Sequence, residues 1–312
     1  MRKIGLIGYG YWGSIISRII LRQRFNVDII FTSKKIPSNS VDCSEIIPIS
    51  DFSLDIVYSL THLFVLTGPP YHHDILNMLS KSQSIDNLPL MWLEKPFLTS
   101  SKQIIYGPKI ENRLYVDYPY VSKNADPSFL QAVKQYQKDS KIQISIFSRH
   151  DIQRSFGVVF DFIPHIISLM RFFVKDFNSL VYSQWRVDSI PVQCPIMCDE
   201  YRVVVYSFEA ISDLDGLKFS LRFGINNPQP SSLLLDRRNE CIHEPPTVLR
   251  HSESSYSVNL ADAFKAPVDQ NIKRFLSANS EESLDLCDPT FHDLIYKISC
   301  KAAFEFSRIE RL

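Results

Sequence analysis

"IGLIGYGYWGSIISRIILRQRF", residues 4–25, is the stretch from which the fold of this 312-residue chain is read. Ile4, Leu6 and Ile7 make a short apolar strand. Gly8, Gly10 and Gly13 follow as G-x-G-x-x-G, with Tyr11 and Trp12 between the last two. Ile15, Ile16, Ile19 and Ile20 then fall on one face of a helix. Strand, glycine turn and helix together are the setting that a dinucleotide fingerprint requires. Gly8 permits the turn, Gly10 lets the backbone approach a pyrophosphate, and Gly13 lets the helix pack closely on the strand. The helix start then offers amide donors to the anion. The chain has nine glycines, where average usage of about 7 % would give roughly twenty. Four of the nine lie in the first thirteen residues, so chance is a poor explanation.

The next strand, "VDIIF" (27–31), should end on an acidic residue if it is to bind the adenosine ribose hydroxyls of NAD. Thr32, Ser33, Lys34 and Lys35 stand there instead. Hydroxyl and ammonium donors suit a phosphorylated ribose better than a carboxylate would. The expected cofactor is therefore NADP, with NAD as the alternative.

A further strand, "HLFVLTG" (62–68), runs into Gly68, Pro69 and Pro70, and "YHHDILNMLS" then has a helical pattern. "PLMWLEKPF" (89–97) makes another apolar strand, which ends on Glu94, Lys95 and Pro96. The alternation over 1–118 predicts a Rossmann-type doubly wound parallel sheet. Ligands of such sheets bind beyond the carboxyl ends of the strands. Gly10, Ser33, Pro69 and Lys95 all fall at those ends, so Lys95 is a candidate for chemistry rather than a solvated strand end.

From 119 the pattern changes. "KIQISIFSR" (141–149) and "LKFSLRFGI" (217–225) alternate apolar and polar residues, and "YRVVVYSFEA" leads toward an Asp215-Gly216 hairpin turn. The expectation for 119–312 is an α+β domain with a mainly antiparallel, open-faced sheet. A last helix is expected from Asp288 as cap and Pro289 at its first position.

Lys plus Arg and Asp plus Glu both number 34, so the formal net charge is zero. That balance excludes an electrostatic grip on nucleic acid or on an anionic membrane. The six cysteines make no dense disulfide framework, and Cys194 and Cys198 have no partner pair suited to a metal. There is no run of about 18 apolar residues and no signal-like h-region after Met1-Arg2-Lys3. The expected location is the cytoplasm.

The sequence resembles the glucose–fructose oxidoreductase / inositol dehydrogenase / MocA-like family. The resemblance rests on "GYGYWG", on "LTGPPYHH" with Pro69 and His73 at the matching positions, on "EKP" at 94–96, and on "GVVFDFIPHIISL" with Asp161 and His165. It spans residues 4–169. Ser168 stands where the family often has aspartate, Gly157 is left of a glycine pair, and Gly68 replaces the usual threonine.

The resemblance implies a catalytic group of Lys95, Asp161 and His165 facing the nicotinamide. It also implies cofactor contacts from the glycine loop, Thr32 to Lys35, Gly68, Pro69, His73, Glu94 and Lys95. Hydride exchange at carbon leaves an oxygen or nitrogen that must trade a proton. Burial beside a positive ring is what fits a lysine for that task. Asp161 and His165, four residues apart on a helix, share a face, and the carboxylate would orient the imidazole. The implied substrates are small carbonyls or alcohols, namely sugars, sugar nucleotides and inositols. The alternatives are an imine reductase and a dinucleotide-binding regulatory protein without turnover. The family also implies a homodimer or homotetramer built through the second sheet.

Overall fold

A computed structural model describes residues 2–36, 43–68, 71–81, 87–95, 110, 113–118, 120, 124–135, 141–147, 157–173, 184–186, 204–211, 218–225, 232–236, 255–264, 267–278, 295–297 and 300. The chain divides into two units, Met1–Pro119 with Val268–Asp293, and Tyr120–Pro267 with Leu294–Leu312.

The first unit is built on six strands: β1 (Ile4–Ile7), β2 (Val27–Thr32), β3 (Cys43–Pro48), β4 (His62–Val65), β5 (Leu90–Leu93) and β6 (Leu114–Val116). They stand in the order β3-β2-β1-β4-β5-β6, and every neighbouring pair is parallel. This is the strand order of a doubly wound dinucleotide-binding sheet, with its reversal point between β1 and β4. Helices α1 (Tyr11–Arg22), α2 (Leu54–Tyr58) and α3 (His72–Ser80) lie along the chain between strands. The sequence pattern does not announce β3. It is an edge strand with Ser44, Glu45, Ile46 and Pro48 exposed, so it lacks the apolar run that marks the central strands.

Register explains the core. Ile30, Leu6, Phe64, Trp92 and Tyr115 stand side by side across five strands, and all are buried. Trp92 stacks on Tyr115, with ring centres 4.6 Å apart. A helix from far along the chain, Pro267–Ser277, covers this row. Its Phe275 sets its ring edge against Phe64 at 5.0 Å and Trp92 at 5.5 Å, while Ile272 and Leu276 complete the same core. The sequence reading assigns everything after 118 to a second domain, and here the structure differs. Periodicity marks Pro267–Ser277 as an amphipathic helix, but it carries no information about which sheet that helix covers. The exposed ion pair Arg22–Asp269, at 3.0 Å, joins α1 to the same helix and adds little stability.

In the second unit, β7 (Lys141–Phe147), β8 (Gln184–Arg186), β9 (Val204–Ile211), β10 (Lys218–Ile225), β11 (Ser232–Asp236) and β12 (Ser255–Asn259) form a sheet in the order β12-β11-β7-β10-β9-β8. β7 and β10 run parallel, and the remaining neighbours are antiparallel. Ile142 and Ile144 are fully buried. The rings of Phe129, Phe172 and Phe264 form a separate apolar cluster. The expected Asp215-Gly216 turn and the start of the last helix lie outside the described residues. Among the described residues, no helix is long and apolar enough to cross a membrane.

Two outcomes follow for stability. Phe275→Ala should lower the unfolding free energy by about 3–5 kcal/mol, measured by urea unfolding. His62, buried on β4, has its imidazole pushed down to about 4 by burial, with the Arg2 charge adding to the effect. A free imidazole titrates near 6.5, so the native state holds this one neutral. Its contribution is complete above about 6.5 and is lost as the pH falls toward 4. Subtracting His62→Gln from wild type removes the other titrating groups. The difference in stability should fall by up to about 3 kcal/mol between neutral pH and pH 4. A pH-independent difference would refute it.

Candidate active site

The loop after β1 is shaped by contacts that a side chain would break. Gly8 has φ +93°, and an added Cβ would meet the Leu66 carbonyl group at 3.0 Å. Its N–H donates to the Phe31 carbonyl at 2.8 Å. A Cβ on Gly13 would lie 2.6 Å from the Gly8 carbonyl oxygen, so α1 reaches its place only because residue 13 has no side chain. Gly10 differs: among the described residues, nothing stands within 4 Å of where its Cβ would be.

Gly10 is also the residue before α1. No side chain caps that helix and no carboxylate stands in its first turn, so the amide donors and the positive end of the dipole remain available. Two buried polar atoms at this end, the Trp12 Nε1 and the Thr67 Oγ1, have no hydrogen-bond partner among the described residues. Open space at Gly10, uncapped amides and two waiting donors together fit a dinucleotide phosphate. Thr67 was not singled out by the sequence reading. Its signal is its place, two residues beyond the end of β4.

At the end of β2, Thr32 is buried and its hydroxyl accepts the Lys34 N–H at 3.1 Å, while Ser33, Lys34 and Lys35 beyond it are exposed. Thr32 therefore shapes the turn, and the next three residues present the donors. Beyond β4, exposed Gly68 accepts the Tyr71 N–H at 2.9 Å. Pro69 lies outside the described residues. His73 sits on α3, and its side chain also lies outside them. The neighbouring His72 is fully buried and its Nε2 donates to the Thr67 carbonyl at 3.0 Å, tying α3 to the strand end. The motif alone does not tell that His72 turns inward.

Beyond β5, Glu94 and Lys95 are each only 5 % exposed, so a solvated strand end is excluded. The Glu94 N–H donates to the Val65 carbonyl at 3.2 Å. Pro96 lies outside the described residues. At the same end of the sheet, Asp117 follows β6 and its N–H donates to the Leu93 carbonyl at 3.0 Å. Its carboxyl group is buried and accepts from the Asn271 Nδ2 at 3.1 Å. Burial pushes that carboxyl up to about 6, against the pull of the Asn271 hydrogen bond and the Lys95 charge. The sequence reading missed Asp117 and Asn271, which are 154 residues apart in the chain.

In the second unit, Asp161 and His165 stand four apart on the helix Gly157–Met170, with Pro164 between them. The Asp161 side chain lies outside the described residues. The half-buried ring of His165 faces Tyr120 edge-on at 5.6 Å. Ser168 is buried and its hydroxyl donates to the Tyr120 carbonyl at 2.8 Å. Burial also pushes the Tyr120 phenol up to about 12, so it stays protonated near neutrality.

Solved structures match this backbone along almost its whole length. The myo-inositol 2-dehydrogenase of Lactobacillus plantarum is 14 % identical, with a TM-score of 0.61 over 99 % of this chain and 98 % of its own. The WlbA (WbpB) dehydrogenase of Thermus thermophilus, solved with NAD and UDP-GlcNAcA, is 10 % identical, with a TM-score of 0.62 over 96 % and 95 %. The UDP-N-acetylglucosamine 3-dehydrogenase GnnA of Acidithiobacillus ferrooxidans is 12 % identical, with a TM-score of 0.59 over 96 % and 95 %. The chain has the fold of these dehydrogenases. No family model and no curated protein matches its sequence. At such identities the likeness speaks for the fold, and function is argued from the site.

Two glycine substitutions separate shape from binding. Gly10→Ala should leave the melting temperature unchanged and weaken dinucleotide binding roughly tenfold or more, about 1.4 kcal/mol, because the methyl group enters space open only to a ligand. Gly13→Ala should lower the melting temperature as well, because its methyl group collides with backbone. Calorimetry and cofactor fluorescence on both variants check this. Equal loss of stability in the two would refute it.

Proposed function

We propose that this chain is an NADP-preferring oxidoreductase acting on a small carbonyl or alcohol, with a sugar, sugar nucleotide or inositol derivative as substrate. The observation that carries this reading is a lysine, Lys95, buried at the carboxyl edge of a sheet in the order β3-β2-β1-β4-β5-β6. The dinucleotide, when bound, would accept or supply hydride. Lys95 would exchange the proton at the substrate oxygen, which a solvated lysine could do only unselectively. Uncapped α1 amides, the Trp12 Nε1 and the Thr67 hydroxyl would hold the pyrophosphate region. Ser33, Lys34 and Lys35 would receive a ribose phosphate, and the absence of a carboxylate at the end of β2 supports NADP over NAD. Gly68, Pro69, His73 and Glu94 complete the proposed cofactor contacts on the strength of the motif resemblance.

The same resemblance supports Asp161 and His165 as companions in proton transfer, the aspartate orienting the imidazole. It further supports a cytoplasmic homodimer or homotetramer joined through a mainly antiparallel, open-faced second sheet. The substrate class is supported by the dehydrogenase neighbours, one of which carries NAD and a nucleotide sugar acid.

The test is fluorescence titration with NADPH and NADH, followed by a panel of inositols, sugars and nucleotide sugars. NADPH should bind more tightly than NADH. Lys95→Ala should keep cofactor affinity and lose turnover on the order of 10²–10⁴-fold. Binding of neither dinucleotide would refute the reading. Turnover confined to C=N substrates would make the protein an imine reductase, and tight binding without turnover would make it a regulatory dinucleotide binder.

A further inference from the structure

The first unit contains a buried charged group that the fingerprint and the "EKP" motif do not include. Asp117 is 4 % exposed, and a lone carboxylate so far from water is costly unless something compensates it. Two groups do so. The Asn271 Nδ2 donates to its Oδ1 at 3.1 Å, and Lys95 supplies the positive charge that acts on it. Backbone geometry explains why these residues meet. β5 and β6 are parallel neighbours with Leu93 opposite Val116, and the Asp117 N–H donates to the Leu93 carbonyl. Continued by one residue, this register sets Asp117 opposite the buried Glu94, with Lys95 the next residue along the neighbouring strand end. Asn271 comes from the helix that covers the aromatic row. It is fully buried, its Nδ2 also reaches the Tyr118 carbonyl at 3.4 Å, and its Oδ1 accepts from the Arg274 guanidinium. The order of influence runs from Arg274 to Asn271 to Asp117 to Lys95.

We propose that Asp117, held by Asn271, is the positioning residue of Lys95: it fixes where the ammonium stands and balances its charge at the carboxyl end of the sheet. The inference rests on reading Lys95 as the proton-transferring residue. A carboxylate is suited to this because it is acceptor-only when ionised and can hold an ammonium while a second lone pair takes the Asn271 amide. A purely structural aspartate would only tie the helix to the sheet. Asparagine at 117 would serve that purpose equally well, since its carbonyl oxygen accepts the same Asn271 hydrogen bond. The charge is what distinguishes the two roles. Burial pushes the Asp117 carboxyl up to about 6, so the charge it offers Lys95 is largely present near neutrality and fades as the pH falls through that value; the buried Glu94 is the other carboxyl at this strand end.

The experiment is carbon-13 carboxyl NMR of aspartate-labelled full-length protein, titrated in wild type, Lys95→Met and Asn271→Ala, with NADPH binding measured on the same samples. The Asp117 resonance, assigned by its loss in Asp117→Asn, should titrate near 6 in wild type. Its midpoint should move upward in Lys95→Met, because the compensating charge is gone, and upward in Asn271→Ala. A midpoint unmoved by Lys95→Met would overturn the proposal, and this readout needs neither cofactor nor substrate. Failure of the enzyme reading appears separately, as wild-type protein that does not bind NADPH. With a substrate in hand, Asp117→Asn should bind NADPH normally and lose kcat on the order of a hundredfold with KM little changed. It should also lose the acidic limb of the pH–rate profile near 6. Wild-type kcat and an unaltered profile in that variant would overturn the proposal.

Discussion

A carbonyl oxygen 2.6 Å from where a side chain would begin governs the first unit. Because the Gly8 oxygen lies that close to the position of a Cβ on Gly13, α1 rests against the end of β1 without an intervening layer. The helix start is thereby fixed at the carboxyl edge of the sheet, next to the reversal of strand order between β1 and β4. The positive φ of Gly8 turns the chain sharply enough to bring this about, and Gly10 is left facing open space. A side chain at any of the three would change something different: the turn, the ligand space or the helix contact. Their spacing is a geometric requirement rather than a signature.

The second constraint is lateral. A parallel sheet must be covered on both faces, and the row from Ile30 to Tyr115 presents a broad aromatic surface at Phe64, Trp92 and Tyr115. The helix Pro267–Ser277 covers it with Phe275, Ile272 and Leu276. That helix also carries Asn271, whose side chain ends on Asp117. Apolar packing and the polar site are therefore coupled: the contact that closes the core sets the hydrogen bond at the carboxyl ends of β5 and β6. Rigid packing around a buried polar group is what allows such a group to be specific.

Much of the first unit was legible in local sequence. The glycine loop, β1, β2, β4 and β5 announce themselves through short apolar runs that end in turn residues, and Lys95 follows directly from the end of β5. The edge strand β3 was not legible, because exposed Ser44 and Glu45 break the apolar pattern. Nor was the inward placement of His72, since it depends on how α3 rolls against the end of β4. Thr32 is legible as a hydroxyl at a strand end, but that it accepts the Lys34 amide depends on the turn that follows.

The sequence by itself determined the glycine turn, the central strands and the placement of a lysine at a strand end, because each depends on residues adjacent in the chain and on the period of their side chains. Only the tertiary structure decided that Asn271 meets Asp117 beside Lys95, and that Phe275 closes the core around Trp92. Those contacts join segments more than 150 residues apart in the chain. No local period encodes them. They arise because a sheet face and a buried carboxylate each require a partner, and the fold supplies both from one helix.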